Sequence, residues 1–156
     1  MSAISHRKDI MKKATKNSLY YSMGFMSQNI IWYMINTYLM LFYTDVVSLS
    51  AGAISTIMLV ARVWDAVNDP MMGVIVDKTK SKWGKFRPYI IIAPPFLAIF
   101  DILTFTVWPV EGVMKAVLCG VSYILAGMAY TAVGVAINGI VNRLSTDSNE
   151  KMKIIS

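Results

Sequence analysis

The sequence predicts an all-α, polytopic membrane protein with about four transmembrane helices. Three observations carry that expectation. First, 56% of the 156 residues are hydrophobic and only 15% are charged, whereas soluble domains run near 45–50% apolar with about 25% charged. Second, the apolar residues gather in runs long enough to cross the hydrocarbon layer, which takes about 20 residues of helix. Third, Lys and Arg are absent from alternate connections, the pattern left when positive charge stays on the cytoplasmic side.

The elements follow in order. Residues 1–16 form a basic cytoplasmic lead-in with Arg7, Lys8, Lys12, Lys13 and Lys16. A four-span membrane unit occupies 17–144, with no second domain. Its first span covers about 18–43. That run is too long for a signal-peptide core, and no small-residue cleavage site follows it, so it reads as a retained helix. The connection "TDVVSLS" has no Lys or Arg and belongs outside. The second span covers about 51–76, and the loop 77–87 returns five basic residues, Lys78, Lys80, Lys82, Lys85 and Arg87, to the cytoplasm. The third span, about 88–108, opens on Pro88, tolerated in a first turn, and Pro94-Pro95 predict a kink. "PVEG" is a second uncharged-by-cation outer turn before the fourth span, about 113–144. The polar segment "STDSNEKMKIIS", 145–156, is a cytoplasmic tail, so both termini lie inside. Short connections make consecutive helices antiparallel neighbours.

Composition also excludes several chemistries. The one cysteine, Cys119, falls inside a span, and the one histidine, His6, lies in the basic tail. There is no Cys/His set for zinc, no G-x-S-x-G and no G-x-x-x-x-G-K-[ST]. No enzyme and no cofactor are expected. The basic loop reads as a topology anchor beside anionic lipid, with no nucleic-acid partner.

The stretch "LVARVWDAVNDPMMGVIV", 59–76, carries the chemistry. Arg62, Asp65 and Asp69 follow i,i+3 and i,i+4 spacing and share one helix face, with Gly73 a turn further on. They span roughly 10 Å of axis. Charge at the bilayer centre costs several kcal/mol, about 2.5–3.5 per residue on insertion scales, so this face must meet protein or water. Two adjacent carboxylates disfavour joint ionisation. Arg62 offsets part of that repulsion, and a hard cation, which takes oxygen ligands, offsets the rest. Asn68 adds a neutral oxygen, and Pro70 limits local helix bonding. Two readings stand: a cation or proton site in a transport path, or a neutralised Arg–Asp group that only holds helices together.

Other spans carry weaker patterns. Ser22, Asn29 and Asn36 recur every seven residues, with Gln28 beside them. They read either as interhelical hydrogen bonds or as a polar cavity wall. Gly120, Gly127 and Gly134 share that spacing and read as a close-approach stripe. Tyr130, Thr131 and Asn138 lie near it and could reach a cavity. Asp101 stands alone in the third span.

At "ARVWDAVNDPMMGVIVDKTKSKWGKFRPY", Ala61 to Tyr89, the sequence resembles the glycoside–pentoside–hexuronide:cation symporters, the family of the melibiose carrier. The resemblance extends through "YLMLFYTDVV", "YILAGMAYT" and the closing "STDSNEKMKIIS" and so covers nearly the whole chain. It implies the major-facilitator fold, about twelve helices in two bundles, of which this chain holds part of the N-terminal bundle. It implies sugar or glycoside uptake across the inner membrane by alternating access, with Na⁺, Li⁺ or H⁺ as coupling ion. By matched positions, Asp65, Asn68, Asp69 and Thr131 are the implied cation site. Arg62, Asn29, Tyr130 and Asn138 are the implied substrate positions. Gly73, Asp77 and Lys78 match a helix-two-to-three gating loop.

The departures fall on the sugar side. The melibiose carrier's sugar-binding acids on helices one and four stand here as Asn29 and Gly134, its helix-four tryptophan as Asn138, and a usual proline as Ala136. Fewer acids would suit an anionic sugar such as a hexuronide. The chain also stops near the start of the family's fifth helix, so a fragment, a truncated product or one piece of a split carrier is expected, with the remainder of the transporter as partner. The alternative from another class is a transport-inactive membrane protein that associates with other membrane proteins, or a gene relic.

Overall fold

The computed structural model describes the backbone of residues 2–82 and 84–144 and the side chains of residues 19, 21–82 and 84–139. The tail expected at 145–156 lies outside the described residues. Four α-helices follow one another: α1 (Ser2–Leu41), α2 (Ala51–Lys78), α3 (Arg87–Thr104) and α4 (Val113–Leu144), with a π-helical turn at Phe42–Val46 closing α1.

The ends of the helices have local causes. The π turn widens the ladder, so that Val47 N–H reaches the Phe42 carbonyl at 3.0 Å. Ser48 then takes a left-handed φ of 58° and reverses the chain. Ser50 caps α2, its hydroxyl accepting from Ala53 N–H at 3.3 Å, as N-cap serines do. Gly84 and Gly112, with φ of 94° and 64°, supply the left-handed residues of the other two turns. Pro88 sits in the first turn of α3, and the helix continues through Pro94 and Pro95. It ends at Thr104, four residues before the expected boundary, where the Phe105 N–H closes back on Asp101 and Leu103.

Among the described residues two helices are long and apolar enough to cross a membrane: α3, with mean hydropathy 1.4, and Val113–Gly139 of α4, with 1.7. The 28-residue α2 has the length, but Arg62, Asp65, Asn68 and Asp69 dilute its apolar run.

α4 is the hub of the bundle, packed against α3, α2 and α1. The principal core joins the end of α1 to α2 and α4 through Ile35, Leu39, Tyr43, Val47, Ile54, Ile57, Ala61, Cys119 and Tyr123. Tyr43 is fully buried, and its hydroxyl donates to the Cys119 carbonyl at 2.9 Å. A second cluster, Ala93, Ala132 and Val133, joins α3 to α4. The outward faces stay apolar, with Leu59, Val63, Ile91, Ile99 and Ile102 more than half exposed. Such a surface suits lipid or further helices and not water.

Candidate cation site

The charged stripe of α2 turns toward α4. Thr131 donates its hydroxyl hydrogen to Asp69 Oδ1 at 2.9 Å. Asp65 is half-buried beside Gly127, where a Cβ would stand 3.4 Å from Asp65 Oδ1. Asn68 lies between them on the helix and is fully buried. Neither its Oδ1 nor its Nδ2 has a hydrogen-bond partner. Leaving a buried polar group unpaired costs about 1–3 kcal/mol, so Asn68 is held where it is by packing and not by its own bonds. Pro70 carries no N–H, so the Ala66 carbonyl lacks its usual helical donor. The Thr131 hydroxyl, the exposed Asp69 and the half-buried Asp65 thus lie along one stretch of the α2–α4 seam, with the buried Asn68 carboxamide on the same turns of α2. Oxygen-rich sets of that kind suit a hard cation.

Arg62 shares the stripe but is exposed. Among the described residues the one ion pair is Lys85–Asp77, at 3.5 Å; Arg62 makes none with Asp65 or Asp69. Arg62 therefore stands beyond salt-bridge distance of both carboxylates, yet its charge still acts on Asp65 and offsets part of the repulsion from Asp69.

The polar pattern of α1 divides in two. Ser22, Asn29 and Asn36 face outward. Asn29 donates to the Phe25 carbonyl and Asn36 to the Trp32 carbonyl, each at 2.8 Å, within their own helix. The interhelical bond comes instead from Gln28, which donates to the Tyr130 carbonyl at 3.1 Å. Gly134 makes room for it: a Cβ there would lie 2.8 Å from Gln28 Nε2. Tyr130 stacks on Trp32 with ring centroids 4.3 Å apart. Asn138 is exposed and accepts from the Tyr21 hydroxyl at 3.3 Å. The glycine stripe thus does more than let helices approach. Gly120 faces Ile57, Gly127 faces Asp65 and Gly134 faces Gln28.

The loop positions gather at the other end of the seam. Gly73 and Asp77 line a cavity of about 420 Å³ together with Val76, Lys85, Phe86, Val135, Asn138 and Gly139. Phe86 lies over Gly139, and a Cβ at that glycine would meet its ring. Lys78, in the last turn of α2, is exposed. Asp101 of α3 is half-buried, its Oδ1 without a partner.

A helical bundle with apolar outer faces and a polar seam between α2 and α4 defines a multi-pass membrane protein. The chain belongs to the MFS/sugar transport protein family, whose model matches residues 20–156. It is 39% identical over 86% of its length to the isoprimeverose transporter of Lactiplantibacillus pentosus, covering 28% of that protein. It is 35% identical over 87% of its length to the putative glycoside/cation symporter YagG of Escherichia coli, covering 30% of it. It is 31% identical over 92% of its length to the inner membrane symporter YicJ of Escherichia coli, covering 31% of it. The chain therefore spans about 30% of the length of these relatives.

Proposed function

We propose that this chain is the N-terminal part of a sugar or glycoside transporter of the inner membrane, coupled to symport of Na⁺, Li⁺ or H⁺ by alternating access. One observation carries the reading: the Thr131–Asp69 hydrogen bond joins α4 to α2 at the turn that also holds Asp65 and the unpartnered Asn68. Asp65, Asn68, Asp69 and Thr131 hold the coupling ion. Occupancy offsets the mutual repulsion of the two carboxylates and the cost of keeping them in the membrane. It also engages the Asn68 oxygen, so the ion draws α2 and α4 into one arrangement.

Arg62, Asn29, Tyr130 and Asn138 contribute to the substrate side. Arg62, exposed near the carboxylates in sequence, is the group through which ion occupancy and substrate binding meet, since a neutralised acid pair leaves its charge free for substrate oxygens. Gly73, Asp77 and Lys78 act in gating, with the Asp77–Lys85 pair bridging α2 to the loop. Residues 1–16, 77–87 and 145–156 are cytoplasmic, and the remainder of the carrier closes the cavity from the far side. The relatives' names support the substrate class: one is an isoprimeverose transporter and one a putative glycoside/cation symporter.

The test uses Asp65→Cys and Asp69→Cys in the full-length protein. Each is expected to abolish Na⁺- or H⁺-stimulated uptake of labelled glycoside in membrane vesicles. If both variants keep that stimulation, the assignment is wrong.

A further inference from the structure

The groups placed on the substrate side read hydroxyls, yet a sugar ring also presents patches of C–H. Sites for such ligands pair an apolar, often aromatic, surface with a few polar groups that fix orientation. One constellation on α1 and α4 has that form.

Trp32 and Tyr130 stack with centroids 4.3 Å apart and planes 21° from parallel. The two rings come from different helices, so each fixes the other. Gln28, one turn before Trp32, anchors the Tyr130 backbone at 3.1 Å and is itself only 5% exposed. Gly134 is what admits that carboxamide, since any side chain there would collide with it. The indole is therefore braced from one side. It remains partly exposed, and it is flanked on its own helix by exposed Asn29 at i−3 and Asn36 at i+4. Each of these donates one amide hydrogen within α1. Each carboxamide oxygen has no partner among the described residues. An aromatic surface braced from behind, between two outward amides, matches the two chemistries of a pyranose.

We propose that Trp32 is the stacking platform for the glycosyl ring of the transported substrate, with Asn36 joining Asn29 as a hydroxyl partner and with Tyr130 and Gln28 positioning the indole. The inference rests on the transport reading. It assigns the substrate to pyranosides with an uninterrupted C–H face and disfavours acyclic polyols.

The experiment titrates purified full-length protein, at saturating Na⁺, with methyl pyranosides of xylose, glucose, galactose and glucuronic acid, and with xylitol. Trp32→Leu is expected to weaken the best-bound pyranoside roughly 10-fold or more, whereas Trp32→Phe stays within about 3-fold. Na⁺ affinity measured without sugar is expected to be unchanged in both. In Trp32→Phe the ligand-induced change in indole emission is expected to shrink although binding remains, since Trp64, Trp83 and Trp108 remain in the chain. Pyranoside affinity within about 2-fold of the parent in Trp32→Leu overturns the platform while leaving the transport reading intact. So does joint loss of sugar and Na⁺ binding, which marks a purely structural role, or binding of xylitol as tight as that of the pyranosides. Failure of every pyranoside to bind the parent protein defeats the transport reading, and the platform with it.

Discussion

Gly120 and Gly127 lie two turns apart on α4, and each faces a side chain of α2. At Gly120 the neighbour is Ile57, 3.4 Å from where a Cβ would stand; at Gly127 it is Asp65 Oδ1, at the same 3.4 Å. Helix geometry is shared, yet the two regions differ in chemistry. Around Gly120 the interior is apolar, and the Tyr43 hydroxyl it encloses has the Cys119 carbonyl to bind. Around Gly127 lie the half-buried Asp65, with the exposed Asp69 one turn on, and on the same stretch of α2 a fully buried Asn68 with neither polar atom paired. The first region holds the helices together. The second carries a cost that a ligand can recover, which is how a binding site differs from a core.

The largest effect that would break this comparison is expected at Asn68. Replacing it by Leu removes an oxygen from the proposed ion site, and cation affinity is expected to fall roughly 10- to 100-fold, the worth of a polar contact to a charged group. The ion-free protein should at the same time become more stable, by about 1 kcal/mol, because two unpaired buried groups are gone. Isothermal titration with Na⁺ and thermal unfolding of the detergent-solubilised full-length protein read the two quantities. Loss of stability together with unchanged cation affinity would place Asn68 in the core, like Tyr43.

Gly134→Ala follows in size. Its methyl group would enter the position of Gln28 Nε2, the far end of a flexible side chain. Displacing that amide costs its bond to the Tyr130 carbonyl, about 1–3 kcal/mol where a buried group is left unpaired, less the roughly 0.8–1 kcal/mol by which alanine favours the helix. Thermal unfolding checks it, and Gln28→Ala in the same chain should recover part of the loss, since the obstructing amide is then absent. Tyr43→Phe is smaller still. The Cys119 carbonyl keeps a second partner in the Ser122 hydroxyl, at 3.0 Å, so one neutral hydrogen bond is lost at about 0.5–1.5 kcal/mol, with cation affinity unmoved. Unlike Asn68→Leu, this change lowers stability and leaves function alone, and the opposite signs are the content of the comparison.

Much of the α2–α4 geometry was legible in the sequence because helical spacing is rigid. Asp65 and Asp69 at i,i+4 share a face wherever the helix packs, and the cost of charge in hydrocarbon keeps that face from meeting lipid. The face of α1 was not legible in the same way. Asn29 and Gln28 are adjacent, about 100° apart around the helix, and a heptad of amides does not say which of the two turns inward. The structure turns Gln28 in because Gly134 offers the space, a fact held by a residue 106 positions away. The Phe86–Gly139 contact and the π turn at Phe42–Val46 were hidden for related reasons. One depends on how a loop folds back on α4, and the other on a local bond register that no residue type dictates.

The smallest and sharpest test exchanges each glycine for alanine. In mid-helix, alanine is favoured over glycine by roughly 0.8–1 kcal/mol, and 3.4 Å to the nearest atom is ordinary contact at both sites, so neither methyl obstructs the fold. Gly120→Ala places its methyl against Ile57 and should raise thermal stability by somewhat less than about 1 kcal/mol, with ion affinity unchanged. Gly127→Ala places the same methyl against a carboxylate oxygen. There it removes room for water or an ion on that side of Asp65, and the desolvation opposes the helix-propensity gain. Stability should hold near the parent value while Na⁺ affinity, read by the same titration, falls by a few-fold. Equal behaviour of the two alanines would mean that Asp65 is only a packed side chain on a helix seam. A divergence confined to ion affinity would locate the coupling site on one heptad of α4.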